Sequence, residues 1–269
     1  MKTQTSQSGQ ILMIAILFAT IIFTIGLSIT NLTTKDTKGT KLQEDASRAR
    51  AAAEAGIEAA LGQGSNESVD IGSLLSGAGL SGQATVTTEA TAQFTTPLIS
   101  KDAQYTFYIT GYDPSTQTVT TGSFDDDMAI QRISPASAQY CSAEQKFALE
   151  LTFIDATAST GGIVGRYVID ECDLVDGTTD EYDFGATIPT SSITPDPHIL
   201  IARVIAPSSS FDGAKIRIDN SGGNQFPAQG KVVTSTASVG TTVDQNVTKK
   251  VKLFQSYPQL PAEFFVTSM

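Results

Sequence analysis

From Thr3 to Thr34 the chain carries no charged residue, and Ile11 to Leu32, 22 residues, is dominated by Ile, Leu, Phe, Met and Ala. As an α-helix those 22 residues measure roughly 33 Å, the thickness of a bilayer core. A chain that opens this way is restricted to few architectures, because so long an apolar helix needs lipid or other helices around it. The hydroxyls of Thr20, Thr24, Ser28 and Thr30 are tolerated there, since each can return to its own helix backbone. Gly26 is the weak point at which such a helix bends or loosens.

A secretory signal peptide has a shorter apolar core, a small-residue cleavage site and unrelated sequence beyond. Here the helical pattern continues instead. Leu42, Ala46, Ala49, Ala53, Ile57 and Ala60 recur at steps of four and three, which places them on one helix face. Glu44 and Arg48 form an i,i+4 pair on the polar side. Ala51-Ala52-Ala53-Glu54-Ala55 is a strong helix former, and Gly62 and Gly64 supply the stop. The expectation is one helix over residues 10–62, about 75–80 Å long. Residues 11–32 form its membrane segment, and a small-residue stripe for packing lies beyond.

The remaining sequence is polar, rich in Ser, Thr, Gly and Asp, and carries almost all of the net charge of −11. Phosphate repels such a surface, and no basic patch interleaved with aromatics exists, so nucleic acid is excluded as a partner. After Gly64 the pattern changes to period two. Tyr105, Phe107 and Ile109 alternate with Thr106, Tyr108 and Thr110. Phe147, Leu149, Leu151 and Phe153 alternate with Ala148, Glu150 and Thr152, as in a half-buried strand. Further strands are expected at 163–169, 199–205, 215–219, 231–237 and 247–254, separated by turn residues. The fold class is therefore α+β: a long N-terminal helix followed by a mostly antiparallel β domain over 65–269. Residues 134–140 read as a linker between two β portions, and a loop within one sheet system fits them equally well.

The two cysteines, Cys141 and Cys172, flank an expected hairpin made from the strands around 147–153 and 163–169. Pairing of those strands brings both thiols to the same open end. A disulfide there would add about 2–4 kcal/mol in an oxidising compartment, and two buried free thiols are the alternative. A second hairpin joins 231–237 to 247–254. No Cys/His cluster, nucleophile motif, P-loop or dinucleotide fingerprint occurs, so no catalytic residue and no zinc site is expected. The one histidine, His198, reads as a surface residue. Acidic runs are the remaining chemical feature. Asp170, Glu171, Asp173, Asp176, Asp180, Glu181 and Asp183 fall within fourteen residues without a base, and Asp125-Asp126-Asp127 form a second group. Asp173, Asp176 and Asp180 are candidate calcium ligands, although their spacing departs from the EF-hand loop and acidic runs are ordinarily solvated. No other cofactor is indicated.

Ser8-Gly9-Gln10 followed directly by Ile11-Leu12-Met13-Ile14-Ala15-Ile16-Leu17 resembles a class III prepilin leader. In that family a prepilin peptidase cuts after the glycine, before the apolar segment. The resemblance implies a leader over residues 1–9, a cut between Gly9 and Gln10, and retention of the whole helix. Arg48 to Leu61 is similar to the end of the N-terminal helix of PilX-type minor pilins, and Lys249 to Phe265 more loosely to tails in that group. Major pilins carry Glu at the fifth position after the cut, where it pairs with a neighbour's N-terminal amine. Here that position is Ile14, which implies a minor subunit, as in PilX-type proteins and one class of type II secretion pseudopilin. Gln10 stands where Phe is common. By count, the basic residues after the span (Lys35, Lys38, Lys41, Arg48 and Arg50) favour a cytoplasmic C-terminal side. The leader and the cysteine pair point the other way and take precedence. The implied partners are other pilin subunits through the helix, the membrane and the prepilin peptidase. The implied location is the cytoplasmic membrane, single-pass with the β domain outside, and then a pilus at the cell surface. A permanently anchored adhesin or binding module outside any filament is the alternative function. An exported hydrolase is a third, without a site to support it.

Overall fold

A computed structural model describes residues 8–63, 67–76, 79–135, 140–142, 144–157, 162–174, 181–240 and 246–260. In chain order the elements begin with helix α1 (Ser8–Leu61), strand β1 (Ser68–Asp70), helix α2 (Ile71–Leu74) and strands β2 (Leu80–Thr87), β3 (Gln93–Thr95) and β4 (Gln104–Tyr108). Next come β5 (Tyr112–Asp113), β6 (Thr118–Val119), β7 (Met128–Ser134), β8 (Ala148–Asp155), β9 (Gly162–Ile169) and β10 (Glu181–Tyr182). The last are β11 (Thr187–Ile188), β12 (Ile199–Ile205), β13 (Lys215–Asn220), β14 (Gly230–Val239) and β15 (Val247–Ser256). The chain is thus one long apolar N-terminal helix followed by β structure in largely antiparallel sheets.

Helix α1 is continuous over 54 residues, about 80 Å, and passes through Gly26 without interruption. Its threonines fold their hydroxyls back onto the preceding turn: Thr20 donates to Leu17 O (2.8 Å), Thr24 to Thr20 O (2.7 Å) and Thr30 to Gly26 O (2.9 Å). Thr33, Thr34, Thr37 and Thr40 repeat the pattern one turn at a time. The side-chain donors are spent locally, so the polar content of the segment costs little in an apolar medium.

The chain divides into two compact units, one of residues 1–85 and 234–252, the other of 86–233 and 253–269. Of the expected linker 134–140, Ser134, Pro135 and Tyr140 lie inside the second, and residues 136–139 lie outside the described residues. In the first unit, α1 packs on β1, α2 and the sheet of order β1-β2-β14-β15. Strands β1 and β2 are antiparallel, with Ser68 opposite Thr85 and Asp70 opposite Gln83. Asp70 also caps α2, its Oδ1 accepting the Gly72 N–H at 2.8 Å. At Gly82 (φ +146°) β2 passes so close to β14 that a Cβ would overlap the Thr236 carbonyl, which only glycine permits.

The second unit contains a five-stranded sheet of order β10-β9-β8-β12-β4 and a four-stranded sheet of order β11-β7-β13-β3. Their inner faces share one core. Phe107, Leu149, Leu151, Phe153, Leu200 and Val204 from the first sheet meet Met128, Ile130, Ile216 and Ile218 from the second. Pairing is antiparallel apart from the two-residue β10 against β9. Strand β8 departs from the half-buried reading. It lies between β9 and β12, and its outer face is covered too: Ala148, Thr152 and Ile154 are all buried. Ile154 packs with Tyr108, Ile199, Ile201 and Tyr257 in a second apolar cluster. The edge of β4 is closed by side chains in place of a strand. Gln229 accepts the Tyr108 N–H (2.8 Å) and donates to Tyr108 O (2.8 Å), while Gln259 accepts the Thr106 N–H (2.7 Å).

Candidate functional site

The first half of α1 is bare. Every large apolar residue from Leu12 to Leu32 is exposed, with Phe18 at 60 %, Ile22 at 70 % and Phe23 at 69 %. Such side chains forgo roughly 1.5–3 kcal/mol each when left in water, so this surface requires an apolar partner. Among the described residues it is the one helix long and apolar enough to cross a membrane. Gly9 and Gln10 lie in its first turn, and Ile14 is exposed at 56 %.

The expected packing stripe is split. Leu42 is exposed and Ala46 half-buried, whereas Ala49, Ala53, Ile57 and Ala60 are buried within the chain itself. Ala52 and Ala53 pack with Ile71 and Ala237, and Leu75, Leu80 and Val251 close the margin. Gly56 lies on the same face. A Cβ there would stand 2.7 Å from Ser235 Oγ and 2.9 Å from Ile71 Cδ1. The small residues therefore let the helix approach its own sheet. On the outward side Arg50 meets Glu54 at 2.8 Å, and Arg48 reaches Asp45 at 3.9 Å.

Cys141 and Cys172 are joined in a disulfide with Cα atoms 5.6 Å apart. It ties the segment before β8 to the segment after β9, at the open end of the antiparallel hairpin. A packed cluster surrounds it. The Tyr140 hydroxyl donates to Phe147 O (2.8 Å), and the Arg132 guanidinium lies 3.8 Å above the Tyr140 ring and 3.1 Å from Glu171. Burial raises the Tyr140 pKa above the usual phenol value. Asp170 is buried and accepts the Cys172 N–H at 3.1 Å.

Of the candidate calcium ligands, Asp173 follows the disulfide with φ +51°, while Asp176 and Asp180 lie outside the described residues. The other acidic run holds loops. Asp126 Oδ2 accepts Asn224 Nδ2–H at 2.7 Å, and Asp127 Oδ1 accepts the Ser191 hydroxyl at 2.6 Å.

His198 is not at the surface. It is 4 % exposed, and its Nδ1 lies 3.1 Å from Oδ1 of Asp155, itself 1 % exposed. The reason lies in the backbone: His198 N–H donates to Ile154 O (2.8 Å) and its carbonyl accepts the Ile109 N–H (2.9 Å), which draws it between two strands. Asp155 closes an apolar strand and carries no motif, so nothing in the linear sequence marks it as the partner. The pair borders an open cleft of about 390 Å³. Compared with known proteins, the chain matches no family model, no curated protein and no solved structure.

Proposed function

We propose that the chain is a minor subunit of a type IV pilus-like filament, of the PilX type. In this reading it is held in the cytoplasmic membrane by the first half of α1, with its β domain outside. A prepilin peptidase cuts it between Gly9 and Gln10, and the bare half of α1 then packs among other subunits. The observation that carries the proposal is the division of labour along one uninterrupted helix. Its apolar half begins directly after Gly9 and is exposed all round, while its last turns, from Ala49 to Ala60, are bound into the chain's own sheet. A leader removed before the apolar segment leaves such a helix whole, whereas a cut after the segment would discard the surface that needs a partner. The split stripe narrows the assembly surface to residues up to about Ala46, because Ala49, Ala53, Ile57 and Ala60 are already used. The disulfide supports an oxidising location for the β domain. Ile14 in place of the carboxylate found in major subunits supports a minor role. Such a subunit works by packing and surface display and needs no catalyst.

The N-terminus of the membrane-extracted protein tests this. Mass spectrometry should find Gln10 first, and Gly9→Leu should block both processing and incorporation into filaments. An intact Met1 in the mature protein would instead favour a permanently anchored binding module.

A further inference from the structure

Asp155 ends β8 and His198 precedes β12, and the pairing of Ile154 with Ile199 sets the two side by side. The carboxylate is firmly held: Oδ1 accepts the Thr157 N–H (2.8 Å) and Oδ2 the Thr157 hydroxyl (2.9 Å). Two groups approach His198 Nδ1, Asp155 Oδ1 at 3.1 Å and the Ala156 N–H at 3.4 Å. The nearer is a carboxylate oxygen, which assigns the imidazole proton to Nδ1 and the lone pair to Nε2. That nitrogen has no hydrogen-bond partner among the described residues, and it is not sealed from solvent either. The ring borders the cleft, whose other walls are Thr121, Gly122, Thr157, Pro195 and the exposed Asp196.

An acceptor held in place by a carboxylate and open to the cleft is available to whatever donates from it. A metal ion lacks its ligand set, since no three His, Cys, Asp or Glu side chains converge among the described residues. The cleft instead offers an imidazole lone pair, the Asp196 carboxylate and the Thr121 hydroxyl, which both donates and accepts. That is the complement of neighbouring O–H groups, which also do both. Its volume falls within the roughly 300–1,000 Å³ of small-molecule sites. We propose that this cleft binds a hydroxylated small molecule of the sugar class, with one ligand O–H donating to His198 Nε2 and a second to Asp196. Asp155 is then the positioning residue that fixes the tautomer.

The chain has one histidine, so every imidazole signal reports this site. Full-length protein with ¹⁵N-labelled histidine, in detergent micelles, should show the Nδ1–H form in long-range ¹H–¹⁵N spectra. Glucose, galactose or N-acetylglucosamine at tens of millimolar should shift Nε2 more than Nδ1. Asp196→Asn lies on the exposed rim and leaves the fold intact; it should weaken that binding about tenfold, as expected for loss of one good hydrogen bond. Asp155→Asn should change the tautomer and abolish the shift. An Nε2–H tautomer in the wild type, or no response to any of the three sugars, overturns the proposal. So does a sugar response that Asp196→Asn leaves unchanged. Zinc binding at micromolar concentration with no sugar response would replace it with a metal site.

Discussion

The contact between α1 and its sheet can be tested at Gly56. Adding a methyl group there has two opposed effects. The helix itself gains roughly 1 kcal/mol, because glycine is a poor helix former. Against that, the new Cβ stands 2.7 Å from Ser235 Oγ and 2.9 Å from Ile71 Cδ1, closer than carbon contacts allow. Overpacking of that kind costs about 1–3 kcal/mol, so Gly56→Ala should come out between neutral and about 2 kcal/mol destabilising. Ser235 offers the relief. Its Oγ is buried without a hydrogen-bond partner among the described residues, so Ser235→Ala should be neutral or stabilising on its own. It also removes the nearest obstacle to the new methyl, leaving only the flexible end of Ile71. The double variant should therefore be more stable than the sum of the two singles by about 1 kcal/mol. Urea unfolding of the full chain in detergent, followed by circular dichroism, measures all four corners of the cycle. Strict additivity would refute the claim that these two groups limit how closely the helix approaches.

Replacing both cysteines by serine opens a loop spanning 31 residues and should cost about 3.7 kcal/mol by chain entropy, read as a lower urea midpoint that reductant reproduces in the wild type. Gln259→Leu and Gln229→Leu should each unmask a backbone amide on the edge of β4. Faster hydrogen exchange at Thr106 and Tyr108 respectively is the expected sign. Tyr108 is buried and donates to Pro258 O (2.6 Å), and desolvation pushes its pKa up to about 12. Below pH 10 the phenol is protonated in both states. Above it the unfolded chain loses the proton first, so stability should fall between about pH 10 and 12. Absorbance titration should show tyrosine ionisation extending up to about pH 12.

The features legible in the sequence are those set by local chemistry. The helix was readable from end to end because its hydrogen bonds lie within four residues and its apolar content needs no partner to be recognised. The strand at 147–153 showed its period of two, those at 199–205 and 215–219 stood out between turn residues, and the disulfide followed from the adjacency of two strands in the sequence. Strands of two or three residues, such as β1, β3, β10 and β11, were silent, because so short a run carries no periodicity and is held only by its neighbour's ladder. Burial on both faces of β8 depended on the residues that cover its outer side, Tyr108, Ile199, Ile201 and Tyr257, none of which is near it in the chain.

The long apolar opening and its continuation as a helix were determined by the sequence alone, since both rest on residue type and local spacing. Only the tertiary structure decided which part of the small-residue stripe is open. A run of alanines looks the same whether it meets another subunit or the chain's own sheet, and Ile71 and Ala237 settle the matter for Ala52 and Ala53. The same holds for His198. A lone histidine between prolines and a strand gives no sign of a buried carboxylate that only strand pairing brings within 3.1 Å.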